Sequence, residues 1–516
     1  MRRMMLSLIT AMVVSPVLWG CAEETVPEGR VESDVRFLAD DLLLGRATPS
    51  HGLDVAALYL VNQLRAAGWE PGMEGSYLQP YEVGTFDPSS ARYDVSINGV
   101  ALRRSDYVFL SLGLRPEQTP IEFDLVFAGW GVSVPEQDVD DFAALDVAGK
   151  GVVAFLGAPW ELDPAVIHAP DHAIGKAVQV SVRDGGMLLY VSDEFSATPP
   201  AEPSGEYGLI TSYSHAPLTL LIENARASAI TIPILSIGPD VFDRVLGHAV
   251  GGTYEELQSR LAGGEAIAGD LEASVRIEID AEAPRGVANN VVAVLPGSDA
   301  AMRDEWVLLT AHYDHVGSFP VPPGEDGICN GADDNASGTA TVLEAARRLA
   351  TEDGLKRSLM VVFTSGEEMG LLGSAHYAAH PLAPLGQTVV NINVDMVGRS
   401  DGTVQALTPG SDDLFQKTVE FGAAAGLSVL PDQQPTWRLN YFLDSYHAAR
   451  AEIPLVSLFT ALHEDYHLPT DEVEKVRFGQ LEKVVALVTQ LAEHYAEGGE
   501  RPGYLRPEWF LTPSEE

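Results

Sequence analysis

Near-continuous apolar runs separated by polar loops dominate the chain from about residue 274 to residue 497. Strands that are covered on both faces have this composition, because neither face needs water-facing side chains. The candidate strands are NNVVAVLPG, WVLLTAH, LMVVFTSG, TVVNINVDM and PLVSLFT. The runs GTATVLEAARRLA and FGQLEKVVALVTQLAEHYA have the period of amphipathic helices instead. This alternation predicts an α/β fold, a three-layer sandwich around a mixed, mostly parallel sheet.

The region before this block has a different pattern. The segment VRFLADDLLLGRATPSHGLDVAALYLVNQLRAAGWEPG predicts two helices, and Gly68 is a natural stop for the second. Residues 76–118 alternate between apolar and polar positions, which predicts strands. We assign residues 31–118 to the N-terminal part of the main α/β domain, whose larger part is residues 274–516.

A β-rich block punctuated by glycine separates these two parts. It contains the predicted strands IEFDLVFAGWGV, DVAGKGVVAFLG and GGMLLYVSD, followed by a strand and helix in IPILSIGPDVFDRVLG. This block, residues 119–273, resembles the protease-associated domain, a small module often inserted in exported peptidases. Its sequence offers no nucleophile, metal cluster or phosphate loop, which favours a lid or interaction module.

The first residues, MRRMMLSLITAMVVSPVLWGC, combine two arginines with an apolar stretch too short for a membrane span. They predict a signal peptide at residues 1–20. The end of this stretch resembles the lipobox of bacterial lipoproteins, in which Cys21 is lipidated and residues 21–30 form a tether. We therefore expect an exported protein of the bacterial cell envelope, anchored to the membrane through Cys21. The alternative is an ordinary signal peptide and a secreted protein.

Composition narrows the classes of function. A chain of 516 residues with 46% hydrophobic and 21% charged residues is typical of a globular protein. A formal net charge of −42 argues against nucleic acid as a partner, because the phosphate backbone would be repelled. The chain has two cysteines, so lipidation of Cys21 leaves Cys329 without a partner, and we expect Cys329 to be buried and structural.

Histidine and carboxylate side chains gather in the loops beside the predicted strands. In an α/β sheet, function collects in loops beyond the strand ends. Mixed histidine and carboxylate ligands suit zinc, and a carboxylate can bridge two ions. Two metals about 3.5–4 Å apart can activate one water and polarise a carbonyl. The candidates are His312 and Asp314, Asp333 and Asp334, Glu367 and Glu368, Asp395, and His463 and His467.

The adjacent pair Glu367 and Glu368 follows the apolar run SLMVVF. Carboxylates are costly to bury unless a positive charge or a proton compensates them. The pair is therefore either a solvated loop, or one glutamate holds a metal while the other handles a proton.

Five motifs contain the candidate residues other than His463 and follow one another along the chain in this order: AHYDH, GADDNASG, SGEEMGLLGS, NVDMVGR and DYHLPTDE. With them the sequence resembles the co-catalytic di-zinc aminopeptidase family, which also contains glutamate carboxypeptidases and glutaminyl cyclases. The resemblance implies two Zn²⁺ ions per chain, one held by His312 and Asp395, the other by Glu368 and His467, with Asp334 bridging them. It also implies a cis peptide bond after Asp334.

The same resemblance implies roles around the metals. Glu367 would be the general base, and Tyr466 would stabilise the oxyanion. Asp314 would orient His312 through its second nitrogen, as metal-binding histidines usually require. The implied function is hydrolysis of N-terminal residues from peptides with a free N-terminus, by a metal-activated water.

Some assignments stay open at this point. Asp333 competes with Asp334 for the bridging position and His463 with His467, although the spacing to NASG and the preceding tyrosine favour Asp334 and His467. Asp444 lies where a histidine often follows in the family, but Ser445 follows here, so the family pattern for a substrate contact at Asp444 is incomplete. The histidines without an assigned role are His315, His376, His380 and His447.

Three functions are compatible with these motifs. The leading one is an exported zinc aminopeptidase. A carboxypeptidase or glutaminyl cyclase on the same fold is the alternative, and the need for a free α-amine on the substrate separates them. A non-catalytic receptor or binding protein is a further alternative, but the complete set of ligands argues against it.

Overall fold

We describe the fold from a computed structural model. The described residues are 29–86, 92–111, 118–134, 138–158, 173–192, 218–221, 232–282, 284–319, 321–352, 354–435 and 438–511. The predicted signal peptide, Cys21 and most of the tether lie outside the described residues. None of the helices within those ranges has the length and apolar character needed to cross a bilayer.

The described strands have the following bounds, in chain order: β1 (Glu70–Pro71), β2 (Leu78–Phe86), β3 (Arg92–Ile97), β4 (Val100–Ala101), β5 (Tyr107–Ser111), β6 (Ile121–Phe127), β7 (Ser133–Val134), β8 (Val139–Asp140), β9 (Gly151–Phe155), β10 (Met187–Val191), β11 (Leu218–Leu221), β12 (Ile234–Ile237), β13 (Gly269–Asp280), β14 (Arg285–Leu295), β15 (Trp306–His312), β16 (Ser358–Thr364), β17 (Thr388–Val394), β18 (Thr403–Leu407), β19 (Ser428–Leu430) and β20 (Leu455–Phe459).

The described α-helices are α1 (Arg30–Leu38), α2 (His51–Ala66), α3 (Ala173–Ser181), α4 (Pro239–Val245), α5 (Gly247–Val250), α6 (Tyr254–Ala262), α7 (Gly338–Leu349), α8 (Leu372–Ala379), α9 (Asp412–Ala424), α10 (Tyr446–Arg450) and α11 (Phe478–Ala496). Both helices predicted from periodicity in the C-terminal part, α7 and α11, are confirmed. The two predicted N-terminal helices are α1 and α2, and a 3-10 turn at Asp41–Arg46 lies between them.

The larger sheet has ten strands in the order β11-β2-β14-β16-β15-β17-β20-β18-β19, with β1 paired to β14. The predicted mixed sheet of an α/β fold is confirmed, but the prediction that it is mostly parallel is wrong, because five of its nine described strand pairs are antiparallel. Parallel pairing is limited to the central strands β16-β15-β17-β20 and to the edge pair β18-β19, and the remaining pairs are antiparallel. The four central strands therefore end at the same edge of the sheet.

Alternate residues of the central strands face opposite sides of the larger sheet. Val307 and Leu309 of β15 lie in a core that includes residues of α1, α2, α7 and α11. Leu308 between them lies in a second core, which includes Tyr377 of α8. Both faces are thus covered by helices, which explains the unbroken apolar runs in the sequence. This arrangement gives the predicted three layers.

The second sheet has eight strands in the order β4-β3-β13-β6-β9-β10-β12-β5. Its strands lie between residues 92 and 280, so it starts before the predicted insert boundary at residue 119 and ends after residue 273. The alternating pattern of β3 resembles that of β2, and nothing in it indicates that β3 pairs with the distant β13. In the other direction, β11 falls in the predicted insert but pairs with β2 of the larger sheet.

The insert also packs against the main domain through α3. Val178 and Val182 share an apolar cluster with Leu371, Tyr441 and Tyr446. Leu371 follows the Glu367–Glu368 pair by a few residues, so the insert supports the loop that carries these glutamates.

Candidate metal centre and active site

The predicted site residues follow the ends of the central parallel strands. His312 is the last residue of β15, and Asp395 directly follows β17. Glu367 and Glu368 follow β16 after a short turn, and His467 lies in the loop after β20. Because these strands are parallel, their loops meet at one edge of the sheet. Asp334 joins them from the turn Ala332–Ser337, which leads into α7.

Two groups of metal-ligating side chains lie at this edge, with the ligand atoms of each group within 4.8 Å of one another. The first group is His312, Asp334 and Asp395, and the second is His315, Asp334, Glu368 and His467. Asp334 belongs to both groups, as expected for a bridging carboxylate. The roles of these residues as ligands stay predictions.

The two oxygens of Asp334 face different groups. Oδ1 lies 3.3 Å from Nε2 of His312, and Oδ2 lies 3.2 Å from Nε2 of His467. Nε2 of His312 is also 3.3 Å from Oδ1 of Asp395, and Nε2 of His467 is 2.9 Å from Oε2 of Glu368. Ligand atoms around a tetrahedral zinc with bonds of about 2.0–2.1 Å are separated by about 3.3 Å. The observed spacings fit one ion on each side of Asp334.

The burial of these charges gives a second test of fit. The side chains of Asp334, Glu368 and Asp395 are at most 7% exposed. Carboxylates at this depth require compensating positive charge. Imidazole nitrogens and carboxylate oxygens are also the donors that zinc prefers. The site fits zinc both by its donors and by its need for positive charge.

Opposite charges in contact shift the pKa values of two residues in the second ligand group, Glu368 and His467. Burial would raise the pKa of Glu368, but His467 and His315 together outweigh this effect and lower it to about 2. Burial would lower the pKa of His467, but Glu368 and Asp334 outweigh it and raise the pKa to about 10. The carboxylates thus stabilise positive charge at the imidazoles, and a bound cation would displace those protons.

Glu367 is placed differently from its neighbour. It belongs to neither ligand group and lines a pocket together with His312 and Asp395. Burial raises the pKa of Glu367 well above its ordinary value. Its backbone N–H donates to Oδ1 of Asp314 at 3.3 Å. The two adjacent glutamates therefore have separate surroundings, and their separate roles stay a prediction.

Asp314 and Tyr466 lie against the two predicted metal-binding histidines. Nδ1 of His312 lies 3.7 Å from Oδ1 of Asp314 and 3.3 Å from the main-chain carbonyl oxygen of the same residue. The other carboxylate oxygen of Asp314 accepts a hydrogen bond from Thr48 at 3.0 Å. The ring of Tyr466 stacks on His467, with centroids 3.8 Å apart, and lines the pocket.

The two competing candidates, Asp333 and His463, contact each other and belong to neither ligand group. Nε2 of His463 is 3.3 Å from Oδ2 of Asp333, whose Oδ1 accepts a hydrogen bond from the backbone N–H of Gly398. The peptide bond between Asp334 and Asn335 is cis, as the resemblance implies.

Three residues at the site received no role from the sequence. His315 belongs to the second ligand group, although it immediately follows Asp314 in a quoted motif. Asp471, also in a quoted motif, accepts hydrogen bonds from the backbone N–H groups of Asp333 and Asp334. Arg46 is buried and donates to the carbonyl oxygens of residues 313, 330 and 331, and no local pattern marks it.

The remaining residues without a clear role lie outside the ligand groups. Asp444 is buried, accepts a short hydrogen bond from Thr364, and does not line the pocket. Cys329 is buried and unpaired, as predicted, and its Sγ lies 3.6 Å from the carbonyl oxygen of His467. The other histidines contact aromatic neighbours: His376 contacts Tyr81 and His380, and His447 contacts Tyr446.

The pocket beside the first ligand group has one polar and one apolar wall. The polar wall carries His312, Asp334, Glu367 and Asp395, and Tyr466 also lines the pocket. Most of the apolar wall belongs to one small core cluster. The residues of the apolar wall are Met396, Leu439, Phe442, Leu443, Phe459 and Leu462.

A mixed sheet with two histidine–carboxylate groups at its central strand ends is the arrangement that the resemblance to zinc peptidases implies. Residues 290–492 match the family described as Peptidase family M28. This part of the chain belongs to Peptidase family M28, the family expected from the motifs. All predicted ligands, Glu367 and Tyr466 lie within it.

Named relatives agree with this assignment. Aminopeptidase YwaD of Bacillus subtilis (strain 168) is 32% identical over 184 residues, covering 34% of this chain and 36% of the relative. A probable zinc metalloprotease of Pyrenophora teres f. teres is 41% identical over 118 residues, covering 22% of this chain and 24% of the relative. The chain thus matches about a third and a quarter of the length of these two proteins.

A solved structure supports the fold. The aminopeptidase from Aneurinibacillus sp. strain AM-1 superposes with a TM-score of 0.51 at 19% identity, covering 94% of this chain and 97% of that chain. The similarity includes the inserted sheet as well as the main domain, because so little of either chain is left out.

Proposed function

We propose that the protein is an exported zinc aminopeptidase that removes N-terminal residues from peptides. One observation carries the proposal: the pocket joins the predicted base Glu367 and the ligands His312 and Asp395 to an apolar wall. Such a pocket can hold the amine and the first side chain of a peptide next to the reacting carbonyl. The printed names of relatives, which include aminopeptidases, agree with it.

Two zinc ions complete the proposed site. The first would be held by His312 and Asp395, the second by Glu368 and His467, with Asp334 shared. Bound zinc would supply a Lewis acid that polarises the scissile carbonyl and lowers the pKa of a coordinated water. The ligand atoms are already near tetrahedral spacing, so little rearrangement is needed on binding.

The chain's own groups handle the proton and the developing charge. Glu367 accepts the proton of the attacking water and passes it to the leaving amine, because it lies in the pocket without belonging to a ligand group. The hydroxyl of Tyr466 is the candidate donor to the oxyanion, since its ring is fixed by stacking on His467. Asp314 keeps the backbone of Glu367 and the ring of His312 in place.

The charge and shape of the pocket favour an N-terminal substrate. An ammonium group would lie next to the carboxylates that line the pocket, including Glu367 and Asp395, which attract positive charge. The apolar wall would take the first side chain and favours a hydrophobic residue there.

The test is hydrolysis of a panel of aminoacyl-anilides with hydrophobic, acidic and basic residues. We expect leucyl or phenylalanyl substrates to be cleaved best, N-acetylated substrates to be inert, and a chelator to abolish activity. Cleavage of N-blocked peptides from the C-terminus would favour a carboxypeptidase, and cyclisation of N-terminal glutamine would favour a glutaminyl cyclase. A purified chain that binds no zinc at neutral pH would favour a binding protein.

We also propose that the protein is a membrane-anchored lipoprotein of the cell envelope. Support comes from the apolar leader followed by Leu18-Trp19-Gly20-Cys21. Cys21→Ser should release the protein from the membrane fraction or block its maturation, and Cys329→Ser is the matched control. Unchanged processing and fractionation of the Cys21 variant would contradict the anchor.

A further inference from the structure

His315 is the member of the second ligand group that the family motifs do not account for. Its side chain is fully buried, and its Nδ1 lies 2.7 Å from Oε1 of Glu368. The same nitrogen is 3.6 Å from Oδ2 of Asp334. Nε2 of His467 lies 3.2 Å from the same oxygen of Asp334 and 2.9 Å from the other carboxylate oxygen of Glu368. His315 thus points into the same space as the other three side chains.

The four donors lie within 4.8 Å of one another. Four nitrogen–oxygen spacings in the group, 2.7 to 3.6 Å, bracket the separation of about 3.3 Å between ligand atoms on a tetrahedral zinc. His315 and His467 each face a different oxygen of Glu368. The rings of His315 and His467 meet edge to face with centroids 5.5 Å apart, so they approach this point from different sides. The first group offers only three donors, His312, Asp334 and Asp395.

The backbone around His315 is built to hold its ring there. A Cβ at Gly331 would lie 2.5 Å from Cδ2 of His315, so the ring occupies space that only glycine leaves open. Gly331 also has a φ of +58°, where glycine is favoured. The backbone N–H of His315 donates to the carbonyl oxygen of Arg46 at 3.3 Å.

The polar contacts of His315 show which of its two ring nitrogens faces the metal position. Nε2 of His315 is buried and has no hydrogen-bond partner among the described residues. A metal-binding histidine usually donates its second ring N–H to a fixed acceptor, and among the described residues His315 departs from this pattern. In His315 the polar contacts are all on the Nδ1 side, towards the carboxylates.

We propose that His315 is a fourth protein ligand, binding through Nδ1 to the ion that Asp334, Glu368 and His467 hold. The two metal positions are then unequal. Four protein ligands close the second position, as in structural zinc sites, whereas three leave the first open to water and substrate. The ion at the second position should be retained more tightly, and the ion beside His312 should exchange. This inference rests on the metal centre of the proposed function and not on its substrate.

The deciding experiment counts imidazoles by X-ray absorption at the zinc edge, using the full chain loaded with one equivalent of zinc. We expect two imidazoles on this tightly held ion, from His315 and His467. A count of one would overturn the proposal, and this measurement needs no variant that could misfold.

A variant of His315 tests how much this side chain contributes to zinc affinity. His315→Asn keeps a group that can donate a hydrogen bond to Glu368 but removes the ring nitrogen. We expect the tighter zinc to bind more than about 100-fold more weakly by chelator competition, beyond the 10–100-fold that loss of a supporting hydrogen bond costs. The imidazole count should fall by one. An unchanged count would show that His315 only positions Glu368.

His463→Asn is the matched control, because His463 is also close to a carboxylate of this region but lies outside both groups. It should leave the imidazole count unchanged. These readouts do not depend on hydrolysis. Two imidazoles on a chain that cleaves no aminoacyl substrate would refute the proposed function alone, and an active enzyme with one imidazole would refute only the role of His315.

Discussion

Asp471 holds the backbone of Asp334 from behind the site: its Oδ2 accepts the N–H of Asp334 at 3.1 Å. The same oxygen accepts the N–H of Asp333 at 2.9 Å, and Oδ1 accepts from Arg399 at 2.7 Å. The side chain of Asp471 is fully buried. The loop that carries His467 is therefore tied to the turn that carries the shared carboxylate.

Removal of this carboxylate should weaken metal binding without removing a ligand. In Asp471→Ala two buried N–H groups lose their acceptor and Arg399 loses one of its two carboxylate partners, so the turn with Asp334 loses its fixed position. We expect zinc affinity to fall about 10–100-fold, the usual effect of outer-sphere partners. Chelator competition measures this. Asp401→Ala is the control, because Asp401 is exposed and pairs with Arg477 at the surface. Equal affinities of the Asp471 variant and wild type would contradict the role.

Stability should depend strongly on Asp34. Both of its carboxylate oxygens accept hydrogen bonds from Arg347, at 2.5 and 3.0 Å, and both side chains are less than 10% exposed. Asp34→Ala leaves a buried guanidinium with less compensation, which should cost about 3–5 kcal/mol in the free energy of unfolding.

The comparison is with Glu32→Ala in the same helix. Glu32 pairs with Arg36 at 2.8 Å, but both side chains are at least 40% exposed. An exposed pair of this kind contributes about 0–1 kcal/mol. Urea unfolding of both variants at fixed zinc concentration gives the two values. A loss for Asp34→Ala no larger than that for Glu32→Ala would contradict the importance of burial.

Asp444 should make the stability of the metal-free protein depend on pH. Burial raises its pKa to about 6. A carboxyl group whose pKa is raised on folding favours the folded state when protonated. Its contribution is complete below the unfolded pKa of about 4 and is lost as the pH rises to about 6. Two pKa units correspond to about 3 kcal/mol.

The isosteric variant Asp444→Asn cannot ionise and should not show this loss. Its amide oxygen can still accept the hydrogen bond from Thr364. We expect the variant to gain stability relative to wild type between pH 4 and pH 7, measured by denaturant unfolding in chelator. A constant difference between the two proteins across this range would mean that Asp444 does not titrate there.

The parts of the fold that the sequence predicts are those fixed by local pattern. The helix Phe478–Ala496 has the period of an amphipathic helix. The central strands have the unbroken apolar composition of strands that are covered on both faces. The second sheet was bounded less well, because the pairing of β3 with β13 joins segments far apart in sequence. Pairing partners depend on the whole fold, and alternation in β3 alone does not name its partner.

The site divides in the same way. Residues with a family motif, such as Glu368 and His467, are found from the sequence. The position of His315 was found only from the structure, because its ring lies in space that the glycine at position 331 leaves open. Arg46 is buried on carbonyl oxygens from distant segments, and no sequence pattern indicates that contact.

The central claim is that two adjacent glutamates have different functions: Glu368 holds a metal and Glu367 moves a proton. Glu367→Gln keeps the size of the side chain but removes the basic oxygen. Because Glu367 is in neither ligand group, zinc should stay bound while turnover falls by about 10²–10⁴. The loss should appear in kcat rather than in KM, since the proton transfer belongs to the transition state.

The most direct test compares zinc content and steady-state kinetics of Glu367→Gln and Glu368→Gln side by side. The account predicts full zinc and very low kcat for Glu367→Gln, and weakened zinc binding with partial recovery on added zinc for Glu368→Gln. Near-normal turnover of Glu367→Gln, or loss of zinc from Glu367→Gln while Glu368→Gln retains it, would contradict the account.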